Sequence, residues 1–167
     1  MARLVPLGAF CALVAISSLT ACAADQASEA SLADSKVSVQ LLRLDTLTRI
    51  PVEYISEIVS TNDIPEPCGD GDPNLRWVSS SSARFTSGAT DQVTGVYDEL
   101  IASFIERGWT TKFDSEGTTQ LTSDASIATV EIEQHLETTP RSVDVLVTGP
   151  CLLTSGLDSP EVEVLQR

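Results

Sequence analysis

The residues of this chain that could do chemistry are few: four cysteines, one histidine and one short acidic loop. Cys11 and Cys22 fall within and just after an apolar leader, which leaves Cys68 and Cys151 in the body of the chain. Neither belongs to a C-x-x-C pair, and His135 is remote from both in sequence. The three or four close ligands that zinc demands are therefore not offered. In an exported chain, for which the leader argues below, two such thiols predict a Cys68–Cys151 disulfide. The loop Asp70-Gly71-Asp72-Pro73-Asn74 sets oxygen ligands at alternate positions, as calcium loops do, but those continue with glycine at position 75 and glutamate at 81. Leu75 and Ser81 stand there instead, and a turn accounts for the same residues. His135 alternates onto one strand face with Glu131 and Glu133, which predicts a solvent-exposed imidazole rather than a general base. No G-x-S-x-G elbow, S-x-x-K, G-x-G-x-x-G or phosphate-binding loop occurs. The expectation is a chain without catalytic, metal or cofactor sites.

The leader carries the most specific signal. Met1-Ala2-Arg3 gives a positive start, and an apolar run follows from Leu4 to Leu19, broken by Pro6, Gly8 and Ser17-Ser18. That is short of the ~20 apolar residues of a membrane-spanning helix and has the proportions of a secretory signal over residues 1–21. The run ends in Leu19-Thr20-Ala21-Cys22, which resembles the lipobox of bacterial lipoproteins. In that family the cysteine thiol takes a diacylglyceryl group as a thioether, and the chain is cut just before it. The resemblance implies lipidation of Cys22, the membrane as a partner and a location outside the cytoplasm. Two acyl chains give stable anchoring where a single one does not. Ala21-Cys22-Ala23 also satisfies an A-x-A cleavage rule, which would release a protein lacking Cys22. An ordinary secretory signal has no need of a cysteine there, and this favours the lipobox. The small, polar residues that follow make 22–35 a flexible tether and leave 36–167 as one domain.

The clearest positioning element is a helix over residues 91–107. Val93, Val96, Tyr97, Leu100, Ile101, Phe104 and Ile105 form one apolar stripe, with Thr90 placed to cap the start and Arg107-Gly108 to end it. The period then drops to two. Trp109, Thr111 and Phe113 alternate, Asp114-Ser115-Glu116-Gly117 turns, and Thr118 to Thr122 returns. Ala128, Val130, Ile132 and Leu136 mark the inner face of a further strand, and Val143, Val145 and Val147 that of a last one. Upstream, Leu75 to Phe85 is a strand with Trp77 and Phe85 turned inward. Residues 36–60 are read as helical: Leu41, Leu44 and Leu47 support one helix, and Val52, Ile55, Ile58 and Val59 a second from Pro51. A strand opening at Val37 is the alternative there. Together these give an α+β fold in which one main helix packs on an antiparallel sheet, in the order strand, helix, meander, after an N-terminal helical segment.

All 24 acidic residues follow residue 24, against nine basic residues beyond the leader. Such a field repels phosphate backbones and argues against nucleic acid as a partner. The whole resembles the small acidic single-domain lipoproteins of actinobacteria. The likeness rests on the lipobox, the tether, Cys68 before the first strand, Arg107-Gly108-Trp109 and the closing Gly149-Pro150-Cys151. It implies a location and a layout without a catalytic residue. The expected function is a membrane-anchored, non-enzymatic interaction module that meets an envelope protein. The alternative is a carrier or sensor for a small lipid or metabolite, with a pocket between helix and sheet.

Overall fold

The computed structural model describes residues 31–166, so the expected signal segment, Cys22 and most of the expected tether lie outside the described residues. The chain enters through α1 (Leu32–Leu47) and a short 3-10 turn (Val52–Tyr54). The antiparallel hairpin β1 (Ile55–Pro67) and β2 (Leu75–Phe85) follows, then α2 (Val93–Glu106). The meander is β3 (Thr110–Ser115), β4 (Thr118–Ser123), β5 (Ser126–His135) and β6 (Ser142–Thr148), and a short helix α3 (Pro160–Leu165) closes the chain. The architecture is α+β, with six antiparallel strands in the order β1-β2-β6-β5-β4-β3. β6 pairs with β2, which joins the hairpin and the meander into one sheet.

Registers show which residues share a face. Ser79, Ser81 and Ala83 of β2 lie opposite Val147, Val145 and Val143 of β6; Val147 and Val145 in turn face Val130 and Ile132 of β5. These side chains, with Leu121 of β4, make the buried floor of the core. Arg43 of α1 reaches Ser81 on this face, and Tyr97 of α2 reaches Thr119, so the two helices lie side by side on it. The other face carries Arg84, Glu131, Glu133, His135 and Asp144 and is open to solvent.

The start of α1 is set by a capping box: Ser31 Oγ accepts from the Asp34 backbone, and Asp34 accepts from the Ser31 backbone in return. The helix thus begins four residues before the expected domain boundary at 36. It meets the sheet through Leu32, Ser35, Val39, Leu42 and Thr46. The approach is close, because a Cβ on Gly149 would collide with Ser35 Oγ and lie 3.1 Å from Val39 Cγ2. The serines in the middle of β2 serve the same end, since their small side chains let α1 settle low on the strand.

α2 follows its predicted stripe. Val93, Val96, Tyr97, Leu100 and Phe104 are buried, whereas Ile105 is exposed. Its N-cap is Gln92 rather than Thr90, whose carbonyl instead accepts from Arg141. Gly108 takes φ +83° just past the end, a conformation that costs glycine least. Trp109 then folds back edge-on against Phe104, ring centroids 5.0 Å apart.

The second helix expected from Pro51 is not there. Val52–Tyr54 forms a single 3-10 turn, and Ile55 to Pro67 is an edge strand of thirteen residues. Val52, Ile55, Ile58 and Val59 mimic helical spacing because register shifts at Ile55/Glu57 and Ser60/Asn62 break the strand's period of two. Pairing with β2 then decides in favour of strand. A similar shift between Thr111 and Phe113 leaves Phe113 exposed on the far edge strand.

Candidate functional site

The stripe of leucines that predicts α1 does not face the core. Leu47 is buried, but Leu41 and Leu44 are exposed, Leu41 by 61 %, and Val37 joins them one turn earlier. Val37, Leu41 and Leu44 stand at i, i+4 and i+7 along the outer side of α1. Beside them, between the C-terminal half of α1 and edge strand β1, runs a groove of 460 Å³. Leu44, Leu47 and Ile50 form one wall, Ile55 and Ile58 the other, and Val52 stands at the rim, 82 % exposed. A concave, mostly apolar recess with a few polar groups at one end is the usual form of a binding site.

The polar end is built from the α1–sheet junction. Arg43 Nη1 donates to Ser81 Oγ at 2.7 Å, Ser60 Oγ at 3.0 Å and the Ser80 carbonyl at 3.2 Å. One turn earlier Gln40 donates to Asp63 of β1, and the Trp77 indole donates to the other Asp63 oxygen at 2.8 Å. Burial pushes the Asp63 carboxyl up, but the hydrogen bonds from Trp77 and Gln40 and the nearby Arg43 charge outweigh it, holding it below the usual carboxylate range. Asp45 on the solvent side of α1 follows the same pattern: burial raises it, and bonds from Arg49 and Arg107 more than offset that. These groups fasten α1 to the sheet and fix the groove's walls.

Under α2 the buried side chains meet the sheet directly. Tyr97 and Thr119 hydroxyls are 2.7 Å apart, and Thr119 Oγ1 donates to Asp114 at 2.9 Å, so the phenol is the donor to Thr119. Burial there raises the Tyr97 hydroxyl above its ordinary value. The apolar recess therefore lies beside α1, whereas the sequence pointed to α2 as the main helix.

The residues singled out from sequence are placed apart from the groove. Cys68 and Cys151 are joined as a disulfide with Cα atoms 5.9 Å apart. It ties the loop entering β2 to the segment leaving β6, beside a bridge between Leu75 and Leu152. The loop at Asp70–Asn74 is closed on itself: Cys68 N–H donates to the Asn74 carbonyl, Asp72 N–H to Gly69, and Asn74 N–H to Asp72 Oδ1 at 2.9 Å. Its Asp72 side chain thus serves the turn. His135 lies on the open sheet face, Nε2 3.2 Å from Asp144 Oδ2 and Nδ1 3.9 Å from Glu133 Oε1. Carboxylates flank both ring nitrogens. No cluster of three or more metal-ligating side chains occurs among the described residues. Cys22, the expected lipid acceptor, lies outside them.

The groove escaped sequence reasoning because its apolar residues also satisfy helix-core spacing. A usable signal was the surplus: α1 carries apolar residues on more than one face, which a helix with a single buried side does not need.

Comparison with known proteins finds no matching family model and no similar curated protein or solved structure.

Proposed function

We propose that this chain is a lipid-anchored extracytoplasmic module that works by binding rather than by turnover, with the groove between α1 and β1 as its binding surface. The observation that carries this reading is the apolar recess of 460 Å³ beside a helix whose outer side is also apolar. A protein whose other surfaces are so acidic has reason to leave such a patch bare only where something covers it. The lipobox-like Leu19-Thr20-Ala21-Cys22 supports the anchor. No described helix is long and apolar enough to cross a membrane.

The test is mass spectrometry of the mature protein extracted from its own membranes. The expected species begins at Cys22 and carries the added mass of a diacylglyceryl group. A species beginning at Ala24 without lipid counts against the anchor. Substrate turnover that disappears on mutation of one side chain counts against binding.

A further inference from the structure

We infer that the outer side of α1 and the adjoining groove are the surface on which this domain rests against the bilayer that holds its anchor. This deepens the reading above and rests on its lipid anchor. Three observations lead to it.

The first is the shape of the patch. Val37, Leu41 and Leu44 continue along the helix into Val52 and Ile58 at the groove, all of them exposed. Three exposed apolar residues over two turns of α1, joined by Val52 and Ile58, make one apolar patch that can sink about 5–10 Å into the boundary between headgroups and acyl chains.

The second is the reach of the chain. Cys22 to Ser31 is ten residues, which span at most about 35 Å in any conformation. That is about the diameter of a small domain. The chain then enters the domain at the N-terminal end of α1, the end that carries Val37 and Leu41, so this side of the helix lies within reach of the anchor.

The third is charge. Residues 31–67, α1 through β1, carry six acids against three bases, and Arg107 adds a fourth base on this side by pairing with Asp45. The remaining described residues carry sixteen acids against four bases. Anionic headgroups repel the rest of the domain and leave the α1 side as the face that can approach. The open sheet face, with Arg84, Glu133, His135 and Asp144, is then turned away from the lipid.

The test uses the mature lipidated protein reconstituted in phosphatidylcholine vesicles with and without bromine on the acyl chains. Val52→Trp places a reporter at the groove rim. Phe113→Trp places one on β3, five strand spacings or about 24 Å across the sheet. Trp77 and Trp109 are buried and give the same background in both. The expected result is at least an approximately two-fold loss of the Val52→Trp signal in brominated vesicles, with little loss at Phe113→Trp, since bromine quenches only on contact at interfacial depth. Adding Leu41→Asp and Ile58→Asp to Val52→Trp should remove the quenching while the protein still floats with the vesicles. Quenching at Val52→Trp no greater than at Phe113→Trp, in protein that floats, overturns the inference and leaves the anchor standing. So does protection of the groove that rises with protein concentration without quenching, which would assign it to a second copy. Protein that fails to float overturns the anchor, and the inference with it.

Discussion

The Trp77 indole, buried on β2, donates its N–H to Asp63 Oδ1 at 2.8 Å across the β1–β2 pair. Gln40 of α1 donates to the second oxygen of the same carboxylate. One side chain thus joins the edge strand, the next strand and the first helix. It holds the two walls of the groove in their relative positions, although it stands outside the groove itself. A strand at the edge of a sheet has a neighbour on one side only, so β1 depends on such ties more than an inner strand does.

Replacing Asp63 with Ala should cost about 1–3 kcal/mol, the penalty for leaving a buried donor without its acceptor. Urea unfolding of the Asp63→Ala variant checks this, and an unchanged midpoint would refute the tie. Trp77→Phe removes the donor together with its need and should cost less than the loss of the carboxylate.

The same carboxylate sets an acid limb. Its folded value is depressed, so its stabilisation is fully present above the unfolded value of roughly 4 and is lost as pH falls through the folded one. Asp45 contributes in the same direction. Stability should therefore decline below about pH 4. The decline should be shallower in Asp63→Asn, which has no proton to take up. Thermal unfolding from pH 7 down to 2.5 gives both curves, and parallel limbs would count against the assignment.

Gly149 follows directly on β6, where the chain passes under α1. Gly149→Ala should push Ser35 and Val39 away and destabilise the fold by about 1–3 kcal/mol, the usual cost of overpacking. Ser35→Ala removes the oxygen that the new methyl meets, so the double variant should recover part of the loss. A double-mutant cycle measures the coupling. Additive effects would mean that α1 shifts without resistance.

The Cys68–Cys151 bridge closes a loop with a sequence separation of 83. Reduction, or Cys68→Ser with Cys151→Ser, should lower stability by up to about 4–5 kcal/mol in the chain-entropy description. Thiol labelling of the oxidised protein should modify neither residue until reductant is added. Equal melting temperatures with and without reductant would show that β2 and β6 stay joined without the bridge.

Sequence alone determined the elements whose periodicity is unbroken. The α2 stripe, the strand at Leu75–Phe85 and the meander from Thr118 to Val147 follow from local spacing, and the pairing of the two body cysteines from the lack of any other partner for either thiol in the body of the sequence. Tertiary structure decided what local spacing leaves open. Bulges in β1 hide its period, so only pairing with β2 makes Ile55–Pro67 a strand. Leu41, Leu44 and Leu47 read as one stripe, but the close seat that Gly149 and the β2 serines provide turns Ser35, Val39 and Thr46 to the sheet instead. That rotation leaves Leu41 and Leu44 outside. The groove exists because a helix with apolar residues on more than one side can bury only one of them against a single sheet.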